Sequence, residues 1–498
     1  MPETHLAHID LLVLVAYLAA VIGFGWWFAR GSSDADDFMS ASRSLPGWAV
    51  GLSMFGSFVS SISFLANPGK SYAGNWNAFA FSLSMPIAAA VAVRWFVPFF
   101  RHSGELSAYE HLEHRFGLWA RSYAVLCFLL TQSARMGTVV FLLGLAVRPL
   151  TGWPIWSVVL ITGALMTAYT MAGGIKAVIW LGVLQSAVLV AGTATCLLAV
   201  IGKTPGGVRE IIDLGVANNK FSFGSFGLSL TEPTFWVIFA YGMAMNLGNF
   251  GTDQGFIQRF ITARSDREAA KSIWITAALF LPTSAVFFFI GTALFAYYGA
   301  HPTLVAGIEK ADEIFPHFIA TELPVGVAGL VVAAIFAASM DSNLNSMATL
   351  TLCDLYKRYW RPDAGDRESM RVLRAATLFW GVTGTSIGLA MIGVKQVLDT
   401  WWILAGIFSG GVLGLVLLGM LTRASNAAAA LATSVGVIVV FWMSLEPLLK
   451  LFEIEIPQRL RNPLDANLTI VVGTLTIFLV GLLASRFLGR GQVRQPEL

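Results

Sequence analysis

The feature that most constrains this chain is the recurrence of apolar stretches long enough to cross a bilayer. A spanning helix needs about 20 apolar residues. About thirteen stretches meet or approach that length, at roughly 8–29, 46–67, 74–100, 119–148, 152–172, 177–201, 232–252, 272–299, 320–352, 373–394, 401–421, 425–447 and 466–488. Composition agrees with this pattern. Of 498 residues, 56% are hydrophobic and only 12% charged, whereas soluble proteins average about 25% charged residues. A soluble domain, a disordered chain and a disulfide scaffold are thereby excluded. The three cysteines, Cys127, Cys196 and Cys353, fall in apolar stretches and read as small core residues. The expectation is an all-α polytopic membrane protein.

The first stretch reads as a retained span rather than a cleaved signal. Met1 to Asp10 carries no basic leader, the apolar run is long, and Trp26, Trp27 and Arg30 follow it. Loop charges set the orientation. With the N-terminus outside, about twenty of the 32 Lys and Arg residues lie in cytoplasmic loops and about ten outside. That bias predicts N-terminus out and C-terminus in. The basic run Lys357 to Arg361 reads as a cytoplasmic anchor beside a membrane helix, and a net charge of +3 gives no footing for nucleic acid. The longest gaps, about 203–231 and 353–372, are too short for a domain of their own. The chain is expected to be one transmembrane domain, with its function inside the helical bundle and no obligate protein partner evident.

Two segments make poor membrane helices, and in a similar way. The first runs from Gly51 through Gly56, Ser57, Val59, Ser60 and Ser61 to Ser63. The second runs from Gly242 through Asn246, Gly248, Asn249, Gly251 and Thr252 to Asp253 and Gln254. In hydrocarbon every backbone N–H and C=O must be paired, so such stretches persist only inside protein or beside a wet cavity. Counted from the second span they are the first and sixth helices, five apart. Interrupted helices at matching places in two halves mark inverted-repeat secondary transporters. The plainer reading is that small residues simply allow helices to pack closely.

Two of the charges inside spans bear on function. Asp341 lies within Ala338-Ser-Met-Asp-Ser342, where a carboxylate is costly unless something repays it. Oxygen donors without nitrogen or sulfur suit a hard cation, although a hydrogen-bonded polar knot between helices would look the same. Arg135 lies midway along the fourth span, with no acid in either neighbouring turn. Its planar fork suits a carboxylate; carbonyls of a broken helix are the alternative partner.

The sequence resembles the sodium:solute symporter family over nearly its whole length. The likeness rests on Tyr169-Thr-Met-Ala-Gly173-Gly174-Ile-Lys176 with Trp180 and Gln185, on Asp341 to Ser346 followed by Asp354-Leu-Tyr356-Lys357-Arg358, and on Thr252-Asp-Gln254 with Gln258-Arg259. The resemblance implies a leucine-transporter-like 5+5 inverted repeat, with one helix before it and two after. The halves would be 46–201 and 232–421, with 1–45 and 422–498 peripheral. It also implies sodium-driven symport of a small solute by alternating access, in a bacterial inner membrane, with Na+ as coupling ion. Carried over, the sodium ligands are Gly56, Val59, Ala338, Asp341 and Ser342. Substrate contacts are expected at Ser60, Ser63, Arg135, Asn246 and Asn249, and Arg135 matches the arginine of sialic-acid members.

The chain departs from the family pattern in three places. It runs from Met340 directly to Asp341-Ser342, three residues shorter than members usually are. Gly182 stands where some members carry an acid associated with a second sodium, which argues for one sodium per cycle. Phe58 and Ser82 do not match the sialic-acid branch. The solute is therefore expected to be a carboxylated sugar or sialic-acid-like molecule, with a neutral sugar as the alternative. A channel would need a pore lined by repeated rings. An enzyme is not expected, because all seven histidines lie at span ends or in loops.

Overall fold

In the computed structural model the described residues are 8–29, 35–103, 106–305, 308, 311–339, 343–393, 404–409, 411–450, 457 and 461–488. They form an all-helical bundle. Eight of its helices are long and apolar enough to cross a membrane, or nine if one bent pair counts as a span.

The elements that position the site are named in chain order. Helix α1 is His8–Ala29, and α2 (Gly47–Phe58) and α3 (Ser61–Ala73) form the bent pair, about 50° apart. The span Trp76–His102 follows as α4, with a π-helical turn at Ala92–Phe96. Next come α5 (Glu110–Phe116), α6 (Leu118–Thr151) and α7 (Ile155–Lys203). The second half holds α8 (Phe235–Gly251), α9 (Gln254–Ile261), α10 (Asp266–Ala300), α11 (Val327–Ser339) and α12 (Leu344–Leu350).

Two expected spans, 152–172 and 177–201, are joined in α7 through a non-helical residue, Gly174 (φ 56, ψ −153). Only glycine adopts such a backbone readily. A Cβ there would also lie 2.6 Å from the Phe38 carbonyl oxygen. The Gly-Gly signature is thus the hinge between two spans.

The second interrupted segment breaks at Thr252 and Asp253. Asp253 caps α9, its Oδ1 accepting the N–H groups of Gly255 (2.8 Å) and Phe256 (3.3 Å). A carboxylate here satisfies the donors that every helix start leaves open. The cap of α11 comes from far away. Asp10 of α1, 2% exposed, accepts the N–H groups of Gly326 and Gly329, both at 2.7 Å. The helix that ends beside Ala338 is held at its other end by the first helix of the chain.

Where α6 begins, charged groups knit the loops together. Arg121 donates from Nε to Asp354 Oδ1 (2.6 Å) and from Nη1 to Glu113 (2.9 Å), and Arg358 also bonds Glu113. Ser107 donates to the same Asp354 oxygen at 2.7 Å. Arg358 above all, with Arg121, holds the Glu113 carboxyl below its ordinary value.

Candidate functional site

A helix that stops in mid-bundle leaves carbonyls without intrahelical partners. At the end of α2, Val59 leaves the helical region (φ −91, ψ 80), and its N–H still reaches Phe55 O at 3.1 Å. Ser60 follows in an extended conformation and starts α3, but its hydroxyl makes no capping bond. It lines a cavity instead.

That cavity gathers four polar residues, Ser60, Gln132, Arg135 and Asn343. Opposite them stand Met136, Val139, Met166, Leu344 and Met347, together with Ala338. A single fork-shaped cation in a largely apolar wall suits an anionic head on a compact body.

Arg135 is held from below. Its Nη2 donates to the carbonyl of Ser57 at 2.9 Å, so the broken helix is one partner of this guanidinium, while the residue also lines the cavity. The hydroxyl of Ser57 accepts from Nη1 of the fully buried Arg259 and donates to Ser53 O at 3.0 Å. Arg135 and Arg259 both act electrostatically on Asp253, an acid remote from Arg135 in sequence.

Three cavity residues or their partners form a chain that sequence reading did not assemble. Asn343 Nδ2 donates to Gln132 Oε1 and Gln132 Nε2 donates to Asp253 Oδ2, both at 2.7 Å. One signal was available: Gln132 stands three residues before Arg135, on the same helical face.

The other expected solute contacts lie elsewhere in the fold. Ser63 Oγ donates to Phe58 O at 3.5 Å, a long bond. Asn246 is fully buried and donates to Ser84 Oγ at 2.9 Å. Asn249 is half-buried. None of the three lines the cavity of Ser60 and Arg135. Phe58 packs among Phe250, Phe256 and Phe280, with ring centroids 4.5–5.6 Å away. Ser82 shares a hydrogen bond of 2.7 Å with Ser284.

Of the expected sodium ligands, Asp341 and Ser342 lie outside the described residues. Ala338 shares the cavity with Ser60. Gly56 is buried against α7, where a Cβ would meet Ser186 Oγ at 2.8 Å. At Gly182 a Cβ would stand 2.5 Å from Ser53 Oγ. An acid at 182 therefore has no room while Ser53 keeps its place.

Comparison with known proteins agrees with this geometry. The pattern of the sodium:solute symporter family matches residues 38–438. The sodium/sialic acid symporter NanT of Aliivibrio fischeri is 32% identical over 487 residues, covering 96% of this chain and 93% of that protein. The sodium/sialic acid symporter SiaT of Proteus mirabilis is 34% identical over 439 residues, covering 86% and 88%. The solved substrate-bound, outward-open structure of a Na+-coupled sialic acid symporter superimposes with a TM-score of 0.89 at 28% identity, covering 98% of this chain and 99% of that one. This multi-pass chain belongs to the sodium:solute symporter family, and it is a sodium-coupled transporter of a small solute rather than an enzyme.

Proposed function

We propose that the protein takes up a small carboxylated solute, of the sugar-acid or sialic-acid class, by sodium symport with alternating access. The reading is carried by one observation: Arg135, Ser60 and Ala338, from α6, the break after α2 and the end of α11, share one cavity. The carboxylate of the solute would take the guanidinium positions that Ser57 leaves open, in the two-pronged manner arginine favours. Ser60 would hold a second polar group, and Ser63, Asn246 and Asn249 would join when the broken helices move.

For sodium, the proposed ligands are the carbonyls of Gly56, Val59 and Ala338, with the side chains of Asp341 and Ser342. Hard oxygens at a helix break suit an alkali cation. The packing of Gly182 against Ser53 supports a single sodium per cycle.

The architecture proposed is thirteen spans, N-terminus outside, in the inner membrane. Its 5+5 inverted repeat covers 46–201 and 232–421. Matching breaks after Phe58 and after Gly251 support that pairing of halves.

Uptake into proteoliposomes tests the reading. A radiolabelled sugar acid should accumulate above its external concentration only with an inward sodium gradient. Passive flux independent of that gradient would refute it. A neutral hexose accumulated in its place would keep symport and remove the carboxylate.

A further inference from the structure

Beneath Arg135, toward the start of α6, the cavity is floored by side chains bonded to one another. Asn343 leads to Gln132 and Gln132 to Asp253, each step 2.7 Å. The other oxygen of Asp253 caps α9 through Gly255 and Phe256. Gly255 packs close on the far side, since a Cβ there would stand 2.5 Å from Asn343 Oδ1. Three elements, α6, α9 and the start of α12, therefore meet through one trio of hydrogen-bonded side chains.

A second layer lies further toward the same face. Gln254 spends both ends of its amide on one loop, donating to Leu106 O (2.8 Å) and accepting from Ala108 N–H (2.7 Å). Tyr109 donates to Thr252 O at 2.6 Å. The loop is fixed in turn by Ser107 on Asp354. The break between α8 and α9 is thus tied to this loop by side-chain bonds.

We propose that the Asn343–Gln132–Asp253 trio is the release gate of the transporter, with Gln132 and Asp253 as the positioning residues that keep it shut. A solute bound at Arg135 reaches the face where α6 begins only after these bonds part. Side-chain amides suit this task. They can exchange one another for water without unravelling a helix, and each net bond is worth little enough to open on a transport timescale. This inference rests on the transport reading above, but its test needs neither the solute nor sodium.

The experiment uses the full chain with Cys127, Cys196 and Cys353 changed to Ala and a single Val139→Cys in the cavity wall, beyond Arg135 from the trio. A membrane-impermeant methanethiosulfonate reagent is applied to right-side-out and inside-out vesicles. Gln132→Leu and Asp253→Ala should each speed labelling about fivefold or more, the change in open population that losing a buried hydrogen bond produces. The gain should occur only from the face bearing Arg115 and Lys357.

Asp253→Asn supplies the sharper test. If the amides of Gln132 and Asn343 both turn over, the two bonds re-form with every donor and acceptor exchanged while the cap of α9 keeps its oxygen. Labelling of Asp253→Asn should therefore stay near the unmodified rate. Equal labelling in all variants, or Asp253→Asn as fast as Asp253→Ala, would overturn the proposal. Should Asp253→Ala fail to fold, Gln132→Leu carries the same comparison.

Discussion

Arg135 and Ser57 are joined by a single hydrogen bond, 2.9 Å from Nη2 to the serine carbonyl. It ties an arginine of the cavity wall to the last turn before the first helix break. The guanidinium is thereby aimed before any solute arrives, and less freedom is lost when one binds.

Replacing this residue should be felt in binding first. Arg135→Lys keeps the charge but loses the fork, so uptake of a carboxylated solute should fall at least about tenfold, in line with the ~1.5–3 kcal/mol of a charge-assisted bond. A thermal-shift series across sialic acid, other sugar acids, neutral hexoses and amino acids checks it. A neutral hexose that stabilised wild type and Arg135→Ala equally would leave the arginine a structural role only.

Sodium dependence should fail at Asp341. Asp341→Ala removes the one full negative charge proposed for the cation, and sodium-stimulated uptake should disappear while the protein remains extractable in detergent. Ser342→Ala should be milder, because water replaces a neutral hydroxyl ligand readily. Normal sodium dependence in Asp341→Ala would redirect attention to proton coupling.

The cap of α11 gives a stability prediction. Asp10→Ala strips two helix-start N–H groups of their acceptor and should cost about 1–2 kcal/mol. Asp10→Asn, which still accepts, should lose less. Thermal unfolding of the detergent-solubilised variants distinguishes them, and identical midpoints for all three proteins would remove the cap from the account.

The acid limb of stability should involve Glu113. Its carboxyl is held below the ordinary 4.5 by Arg358 first and Arg121 as well. A depressed carboxyl adds stability that is complete above about 4.5 and is lost as pH falls through the lower, folded-state value. Glu113→Gln should be less stable at neutral pH and should lack this contribution to the acid slope. Unfolding midpoints between pH 3 and 7, an interval of about four units chosen to bracket that transition, would read the difference.

Much of this was legible in the residues. Apolar length announced the membrane, and glycine with serine or asparagine in mid-span announced both breaks, because hydrocarbon gives such residues nothing to bond. Arg135 was visible as a charge without a neighbour. A carbonyl of a broken helix was among its expected partners; that Ser57 supplies it was not readable, since 78 residues separate them and no periodicity links two spans. The hydrogen-bonded trio below it was hidden for the same reason. Gln132, Asp253 and Asn343 each look like ordinary polar residues until folding brings three distant helices together. Asn246 shows the converse. A polar residue beside a break looked like a solute contact, yet its amide is occupied by Ser84 in this conformation.

The bond from Asp10 to α11 also bears on how the chain is made. Its partners lie 316 and 319 residues further along. During synthesis the first helix is therefore made long before the backbone N–H groups that will donate to its carboxylate have been translated. Until then the Asp10 carboxylate has to be satisfied by other donors, such as water. The first helix thus stands as a berth prepared at the outset, into which the ninth expected span settles once most of the protein exists.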